Sequence, residues 1–543
     1  MLDLTDLRLH WLDTLIIIGY LGMLLGIGVY HARRQKDLTD FFLAGREIRW
    51  LALGLSLVAA LNSGIDYLMQ PSAIIQFGAY MFAGPLTWLF LIPYIFYVTL
   101  PLYRRLGVIS AYEYLEKRFD LRVRTFAAGI FLLWRLGWLA TALYVPSLAI
   151  STATGGRISE SAFIVLLGLV ITAYTMLGGI RAVIWNDVIQ CCIMFAGLFV
   201  AVIVCVVNVE GGVGTIVAQI REVGDPIQTQ VPTGVAESAA SYFFIPMTFI
   251  GLLMSLLMSR IATYTSDQVM VQRFQTSKTL ADGRRGLFLT AISDSVWTIA
   301  LCFVGLALFA FYKAHFGELP AWTKERPDQI FPYFISQAFP IGLTGLIMAA
   351  ILAASVSSCD SAINSLTSVV TVDFVERLYL KRSVQGNGIS PTEQRYQVLT
   401  SRLITIVVGL AGIGISLQVN KLGSLLEISN KLINSFTGPM LAMFLLGMFT
   451  SRATGTGVLI GGAIGTLVTV VTAFQAELYA GLNLLFDAGL NTDAVVSFLW
   501  PSTLGFLTTC VLGYLCSLLW PSEDQESPQA WTWSRIVQTE LLE

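Results

Sequence analysis

The sequence predicts an all-α polytopic membrane protein with thirteen transmembrane helices, the N-terminus outside and the C-terminus in the cytoplasm. Three observations predict this. Of the 543 residues, 55% are hydrophobic and 13% charged, about half the charge of a soluble domain, and the mean hydropathy is +0.71. Apolar stretches close to the length that crosses a bilayer, about 20 residues, recur along the chain. The Lys and Arg residues gather in alternate connections, as the positive-inside rule requires.

In order, the expected spans centre on residues 12–30, 51–72, 78–101, 125–152, 161–178, 183–207, 239–263, 286–313, 341–370, 398–417, 424–449, 456–475 and 495–519. The first follows an acidic, polar start (MLDLTDLRLH), unlike the basic start of a cleaved signal, so it is expected to stay as a span. The connections assigned to the cytoplasm hold Arg33, Arg34, Lys36, Arg46 and Arg49, then Arg104, Arg105, Lys117, Arg118, Arg122 and Arg124. Arg181, Arg260, Arg273, Lys278, Arg284, Arg285, Arg377, Lys381 and Arg382 follow on the same side. The outer side receives only Arg8, Arg157, Arg221, Lys313, Lys324, Arg326 and Lys421. The connections are too short for a soluble domain. The tail 521–543, with Trp531 and Trp533 in AWTWSRIV, reads as a short interfacial helix or as a solvated tail.

Composition excludes several function classes. A net charge of −2 gives no reason to expect nucleic acid as a partner. The seven cysteines lie inside apolar runs without CxxC spacing, and His10, His31 and His315 sit at the ends of such runs. A His–metal site, a zinc hydrolase and an intramembrane Ser/His/Asp enzyme are therefore excluded. No GxxxxGK[ST] occurs, so an ATP-driven pump is excluded too. The chain is expected not to be an enzyme, to need no cofactor and to have no obligate protein partner.

Polar residues inside the spans carry the functional signal, because ionisable groups in lipid are costly. The second span has Asn62-Ser63-Gly64-Ile65-Asp66 at its middle and Pro71 beyond. A helix broken there frees backbone carbonyls for a cation; the alternative is a polar kink packed against neighbours. In the ninth span Ala354, Ser358, Ser361 and Ser365 share one helix face, and Ser357, Asp360, Asn364 and Ser368 form the adjacent stripe. Small hydroxyls also serve close packing, but hydroxyls with one carboxylate suit a monovalent cation better than Ca²⁺. Asp187 enters the sixth span near Arg181, either as a local ion pair or as an ion ligand or proton carrier. Arg135 lies in the middle of the fourth span. Asp66 is its most attractive opposite charge, as a structural lock or as two ends of a zwitterion site. Glu427 and Lys431, spaced i, i+4, are expected to satisfy one another. Asp294 has no assigned role. Asp267, Gln268, Gln272 and Arg273 are expected at a solvated cytoplasmic helix end.

The pieces DFFLAGREIRWLALGLSL, SAYEYLEKRFD, AYTMLGGIRAVIWNDVIQ, SDQVMVQR, SSCDSAINSLTSVVTVDF and NSFTGPMLAMFLLGMFTSR resemble the sodium:solute symporter family over about residues 10–520. The resemblance implies a leucine-transporter-like fold of two inverted five-helix repeats. The division would be 1–49 (extra helix and cytoplasmic loop), 50–208 (first repeat), 209–237 (extracellular loop), 238–450 (second repeat), 451–520 (two further spans) and 521–543 (cytoplasmic tail). By motif register the family's main sodium site falls on Ala59, Asn62, Ala354, Ser357 and Ser358. Asp187, Asp360 and Ser361 fall where relatives with a second ion or coupling site have it. Asp360 stands where those relatives often carry Ser or Thr, which leaves the stoichiometry open. The solute cavity would lie beside the broken helix, with Asp66, Gln70, Gln76, Arg135 and Trp138 as ligands and Tyr264 closing it from inside. The implied function is Na⁺-coupled import of a small organic solute, charged or zwitterionic, by alternating access, in a plasma membrane of the bacterial inner-membrane kind. Proton coupling through Asp187 or Asp360 and a transporter-like membrane sensor are the alternatives.

Overall fold

The computed structural model describes residues 10–32, 42–223, 241–245, 247–316, 327–381, 391–419, 425, 431, 435–486, 489–491, 495–521 and 530–538. The main helices are α1 (Trp11–Ala32), α2 (Trp50–Leu61), α3 (Gly64–Phe77), α4 (Trp88–Tyr94), α5 (Leu100–Leu106), α6 (Glu113–Arg118) and α7 (Leu121–Ala153). Next come α8 (Glu160–Leu177) and α9 (Gly179–Asn208), then α10 (Phe249–Ser266), α11 (Gln268–Thr276), α12 (Leu280–Phe316), α13 (Ile330–Ala338) and α14 (Leu343–Val369). The chain ends with α15 (Pro391–Ser416), α16 (Thr437–Phe449), α17 (Gly455–Ala473), α18 (Gln475–Phe486), α19 (Pro501–Leu519) and α20 (Trp533–Gln538). Among the described residues, ten helical segments are long and apolar enough to cross a membrane, and Trp11–Gly26, Trp50–Leu61 and Thr437–Phe449 are shorter apolar helices.

Helix α14 is the axis of the bundle. In the segment Leu343–Tyr379, 94% of the most apolar stretch is buried, against 28% for α19 at the periphery. It packs on α1, α7, α8 and α9. Its N-terminus is capped from a distance: Asp13 of α1 accepts the N–H groups of Gly342 (2.8 Å) and Gly345 (2.7 Å), which α14 cannot satisfy itself. At the other end of the bundle, Glu116 of α6 accepts from Arg124 Nη1 (2.6 Å) and Arg377 Nε (2.8 Å). Asp373 there accepts from Arg124 Nε and Ser110 Oγ, both at 2.7 Å.

Two helices are interrupted. The first break separates α2 from α3 at Asn62 and Ser63, both in extended conformation. Ser63 Oγ accepts from Ile65 N (3.1 Å) and Asp66 Oδ2 from Ser63 N (2.7 Å), a reciprocal cap that starts α3. Gly64 is there for close approach: a Cβ would lie 2.9 Å from the Ile351 carbonyl oxygen of α14. The second break separates α10 from α11 at Asp267, whose side chain caps Val269 N at 2.9 Å. Gly179, with φ 54°, turns the chain between α8 and α9.

Several placements differ from the sequence-based expectation. Asp267, Gln268, Gln272 and Arg273 are fully buried rather than solvated. Arg260 sits inside α10, not in a cytoplasmic connection. A tertiary network neutralises these groups, which hydropathy counts as loop. Residues 530–538 pack on the protein: Lys117 lies 5.1 Å from the Trp531 ring and Trp533 pairs with Phe449. Lys431 binds Glu477 at 2.5 Å; Glu427 lies outside the described residues.

Helices α17 and α19 meet through glycine. A Cβ at Gly461 would lie 2.4 Å from the Gly513 nitrogen, whereas one at Gly129 in α7 would meet nothing within 4 Å. Gly461→Val is expected to destabilise by about 1–3 kcal/mol and Gly129→Ala to be neutral or stabilising. Thermal unfolding of the two variants in detergent checks this.

Candidate functional site

The first break faces α14 directly. Ser357 Oγ donates to the Ala59 carbonyl at 2.9 Å and lies at the same distance from the Ala354 carbonyl. Ser358 Oγ and Asn62 Nδ2 are buried without a hydrogen-bond partner among the described residues. Ala59, Asn62, Ala354, Ser357 and Ser358 are thus brought together, with carbonyl and hydroxyl oxygens and no carboxylate on any of the five. Such a weak, hard-oxygen set fits a monovalent cation.

The second break contrasts with the first. Its exposed carbonyls are taken by protein donors: Tyr103 OH binds the Thr265 oxygen, and Tyr112 OH the Ser266 oxygen at 2.9 Å.

Asp187 of α9 does not pair with Arg181, which binds the Ala44 carbonyl at 3.0 Å. Its Oδ2 accepts from Arg273 Nη2 (2.9 Å) and Ser56 Oγ (2.5 Å), and Arg273 Nη2 also reaches Ser361 Oγ (2.6 Å). Asp360 Oδ2 accepts from Tyr174 OH at 2.7 Å, and its Oδ1 lies 3.3 Å from Ser361 Oγ. Asp187, Asp360 and Ser361 therefore form one buried network around Arg273. Among the described residues no cationic side chain is within ion-pair distance of Asp360.

Beside the first break lies a cavity of about 190 Å³, lined among others by Asn62, Asp66, Gln70, Arg135 and Trp138. Gln76 and Tyr264 are not in its lining; Tyr264 is buried between Trp88 and Phe274, with ring centroids 5.8 and 6.0 Å away. The expected Asp66–Arg135 pair does not form. Asp66 caps α3, and Arg135 pairs with Asp267 at the second break, with Nε 3.1 Å from Oδ1 and Nη2 against Oδ2. The Trp134 and Trp138 rings lie 5.0 and 5.2 Å from its guanidinium carbon, a cation–π arrangement.

Sequence reasoning missed Arg260 and Asp294, which also line the cavity. They bond at 2.7 Å, and Trp88 Nε1 donates to the same Asp294 oxygen at 2.7 Å. A signal was present. Ser255, Ser259 and Thr263 recur every fourth residue around Arg260, so α10 carries a polar face within an apolar run.

The profile of the sodium:solute symporter family matches residues 41–465. The sodium/sialic acid symporter NanT of Aliivibrio fischeri is 31% identical over 488 residues, covering 89% of this chain and 91% of the relative. The sodium/sialic acid symporter SiaT of Proteus mirabilis is 31% identical over 495 residues, 90% of this chain and 95% of the relative. Human sodium-coupled monocarboxylate transporter 1 is 29% identical, covering 87% and 74%. A solved Na⁺-coupled sialic acid symporter, substrate-bound and outward-open with a novel Na⁺ site, superposes with a TM-score of 0.77 at 28% identity, over 95% of this chain and 99% of that one. The nucleobase–cation symporter Mhp1, at 14% identity and a TM-score of 0.57 over 92% of this chain and 99% of that one, shares the fold.

The Arg135–Asp267 pair makes a specific prediction. Removing either partner leaves a buried charge and is expected to cost about 3–5 kcal/mol. The double variant Arg135→Met/Asp267→Leu should cost much less than the sum. A double-mutant cycle on thermal stability that came out additive would show the two side chains to be uncoupled.

Proposed function

Since the chain belongs to the sodium:solute symporter family, we propose that it imports a small organic acid together with Na⁺ by alternating access, across a plasma membrane of the bacterial inner-membrane kind. The thirteen spans, the outward N-terminus and the repeats 50–208 and 238–450 are part of this reading. The two breaks support the repeats, since each lies in the first helix of its proposed half. Na⁺ is the family's coupling ion.

One observation carries the proposal: Ser357 meets the Ala59 carbonyl across the first break while Ser358 Oγ, next to it, has no hydrogen-bond partner among the described residues. Na⁺ binds there, between the carbonyls of Ala59, Asn62 and Ala354 and the two hydroxyls. An ion held by α2 on one side and α14 on the other couples the two repeats. It also sets the position of Asn62, which lines the solute cavity. That shared residue is the physical link between ion and solute. A coupling free energy of about 1–3 kcal/mol is expected, and it is reciprocal. After solute enters, the cavity closes outward and the repeats move to open it inward. The Glu116–Arg124–Asp373–Arg377 network at the cytoplasmic end must then loosen. Low internal Na⁺ releases the ion and the solute follows.

The relatives named for sialic acid and for monocarboxylates support an acidic solute; the cavity wall here carries two arginines and two aspartates, which suits an acid that also has polar groups. Asp66, Gln70, Arg135 and Trp138 form part of the solute chamber, and Gln76 and Tyr264 lie outside it. Asp187, Asp360 and Ser361 are proposed as a second coupling site. Asp360, which among the described residues feels the Arg273 charge but forms no ion pair, is the group that favours a second Na⁺ or a proton there.

Ser357→Ala removes a ligand without removing a charge. It is expected to raise the Na⁺ concentration for half-maximal uptake in proteoliposomes by about tenfold or more and, because the Ala59 carbonyl loses its donor, to lower thermal stability in choline chloride by about 1–3 kcal/mol. Unaltered Na⁺ dependence in the folded variant would remove the site. Wild-type uptake that follows pH and ignores Na⁺ would replace Na⁺ by a proton.

A further inference from the structure

We infer that Arg260, and not Arg135, reads the solute's carboxylate, while Asp66 and Gln70 receive hydrogen-bond donors of the same solute. The inference rests on the symport reading above and deepens it. Both arginines line the cavity, but they are not equally available.

Arg135 is committed. Its Nε and Nη2 face the two oxygens of Asp267, which uses the fork that a carboxylate would need. Its guanidinium lies within 5.2 Å of both Trp134 and Trp138 rings, and its side chain is 5% exposed. Turning it toward a solute would strand Asp267, a fully buried charge at the break between α10 and α11.

Arg260 is held but not used up. Among the described residues, Nη1 alone is spent on Asp294, at 2.7 Å. The guanidinium carbon lies 5.6 Å from the Trp88 ring. Trp88 in turn fixes the same Asp294 oxygen, so the cation is oriented before a ligand arrives, which lowers the ordering cost of binding. Its side chain is 15% exposed, three times the value for Arg135. The Nε and Nη2 edge remains to form two parallel bonds to a carboxylate.

The remaining polar groups of the wall ask for the opposite chemistry. Gln70 Oε1 is a buried acceptor with no partner. Asp66 is a carboxylate whose Oδ2 already accepts from Ser63 N; it also interacts with the Gln70 side chain and faces the Arg260 charge. Neither can welcome an anion, and both are satisfied by hydroxyl or amide N–H groups. The solute that fits is therefore an acid that also carries donors, seated with its carboxylate at Arg260.

The test is thermal stability of the full chain in NaCl and in choline chloride at equal ionic strength. The probes are sialic acid, pyruvate and glucose, with the methyl esters of the two acids. In NaCl an acid is expected to stabilise the protein, and its ester to need about ten- to hundredfold more for the same shift. Arg260→Gln should bring the acid to the level of its ester and leave the Na⁺ titration without solute unchanged. Arg260→Lys, which keeps the charge and loses the fork, should fall between. The paired variant Arg135→Met/Asp267→Leu, which reshapes the chamber wall, should weaken acid and ester by the same factor and so keep their ratio. Equal weakening of acid and ester by Arg260→Gln, or loss of the ratio in the paired variant, overturns the inference. So does stabilisation by glucose alone, while Na⁺ symport stands. Absence of any Na⁺ shift would instead sink the symport reading, and this inference with it.

Discussion

A helix broken inside a membrane leaves carbonyl oxygens that water cannot reach, and each must find a donor or a cation. This protein has two such breaks and treats them differently. At the second, Tyr103 and Tyr112 supply hydroxyl donors to Thr265 and Ser266, and Asp267 is neutralised by Arg135. At the first, Ser357 of α14 donates to the Ala59 carbonyl, and the neighbouring Ser358 hydroxyl is buried with no partner among the described residues. Tyrosine hydroxyls thus occupy two carbonyls of the second break, whereas the first keeps a buried serine hydroxyl with no partner among the described residues.

The rest of the fold follows from bringing α14 to that first break. Gly64 has no side chain because α14 passes there. Asp13 of α1 satisfies the N-terminus of α14, so the helix can be buried along nearly its whole length. Arg273, on the helix after the second break, neutralises Asp187 and reaches Ser361 of α14. Both breaks and the axial helix are therefore tied through side chains that carry charge in a place where isolated charge would be expelled.

The sequence made the apolar segments legible because hydrocarbon crossing has a length and a composition. It made the first break legible because Asn, Ser, Gly and Asp in succession cannot face lipid. The grouping of Ala59 with Ser357 and Ser358 came from family register, and Asn62, Asp66, Gln70, Arg135 and Trp138 do line one cavity. The second break was not legible. Asp267, Gln268, Gln272 and Arg273 have the polarity of a solvated helix end, and polarity does not distinguish water from a buried network. Nor does spacing along the chain reveal which carboxylate an arginine will meet. Arg181 was the near neighbour of Asp187 and Asp66 the attractive partner of Arg135, yet Arg273 and Asp267 fill those roles through folding. Arg260 was missed because its charge was counted with the cytoplasmic connections although it falls within the apolar span 239–263.

The central claim is that a cation joins the first break to α14. Hydrogen exchange of the purified protein, read by mass spectrometry in NaCl and in choline chloride at equal ionic strength, tests it most directly. The account predicts that Na⁺ slows exchange in two separate segments together, around residues 57–66 and 354–361, with little change at the second break. Exchange that is the same in both salts at these two segments, or that slows only around Asp267, would contradict it.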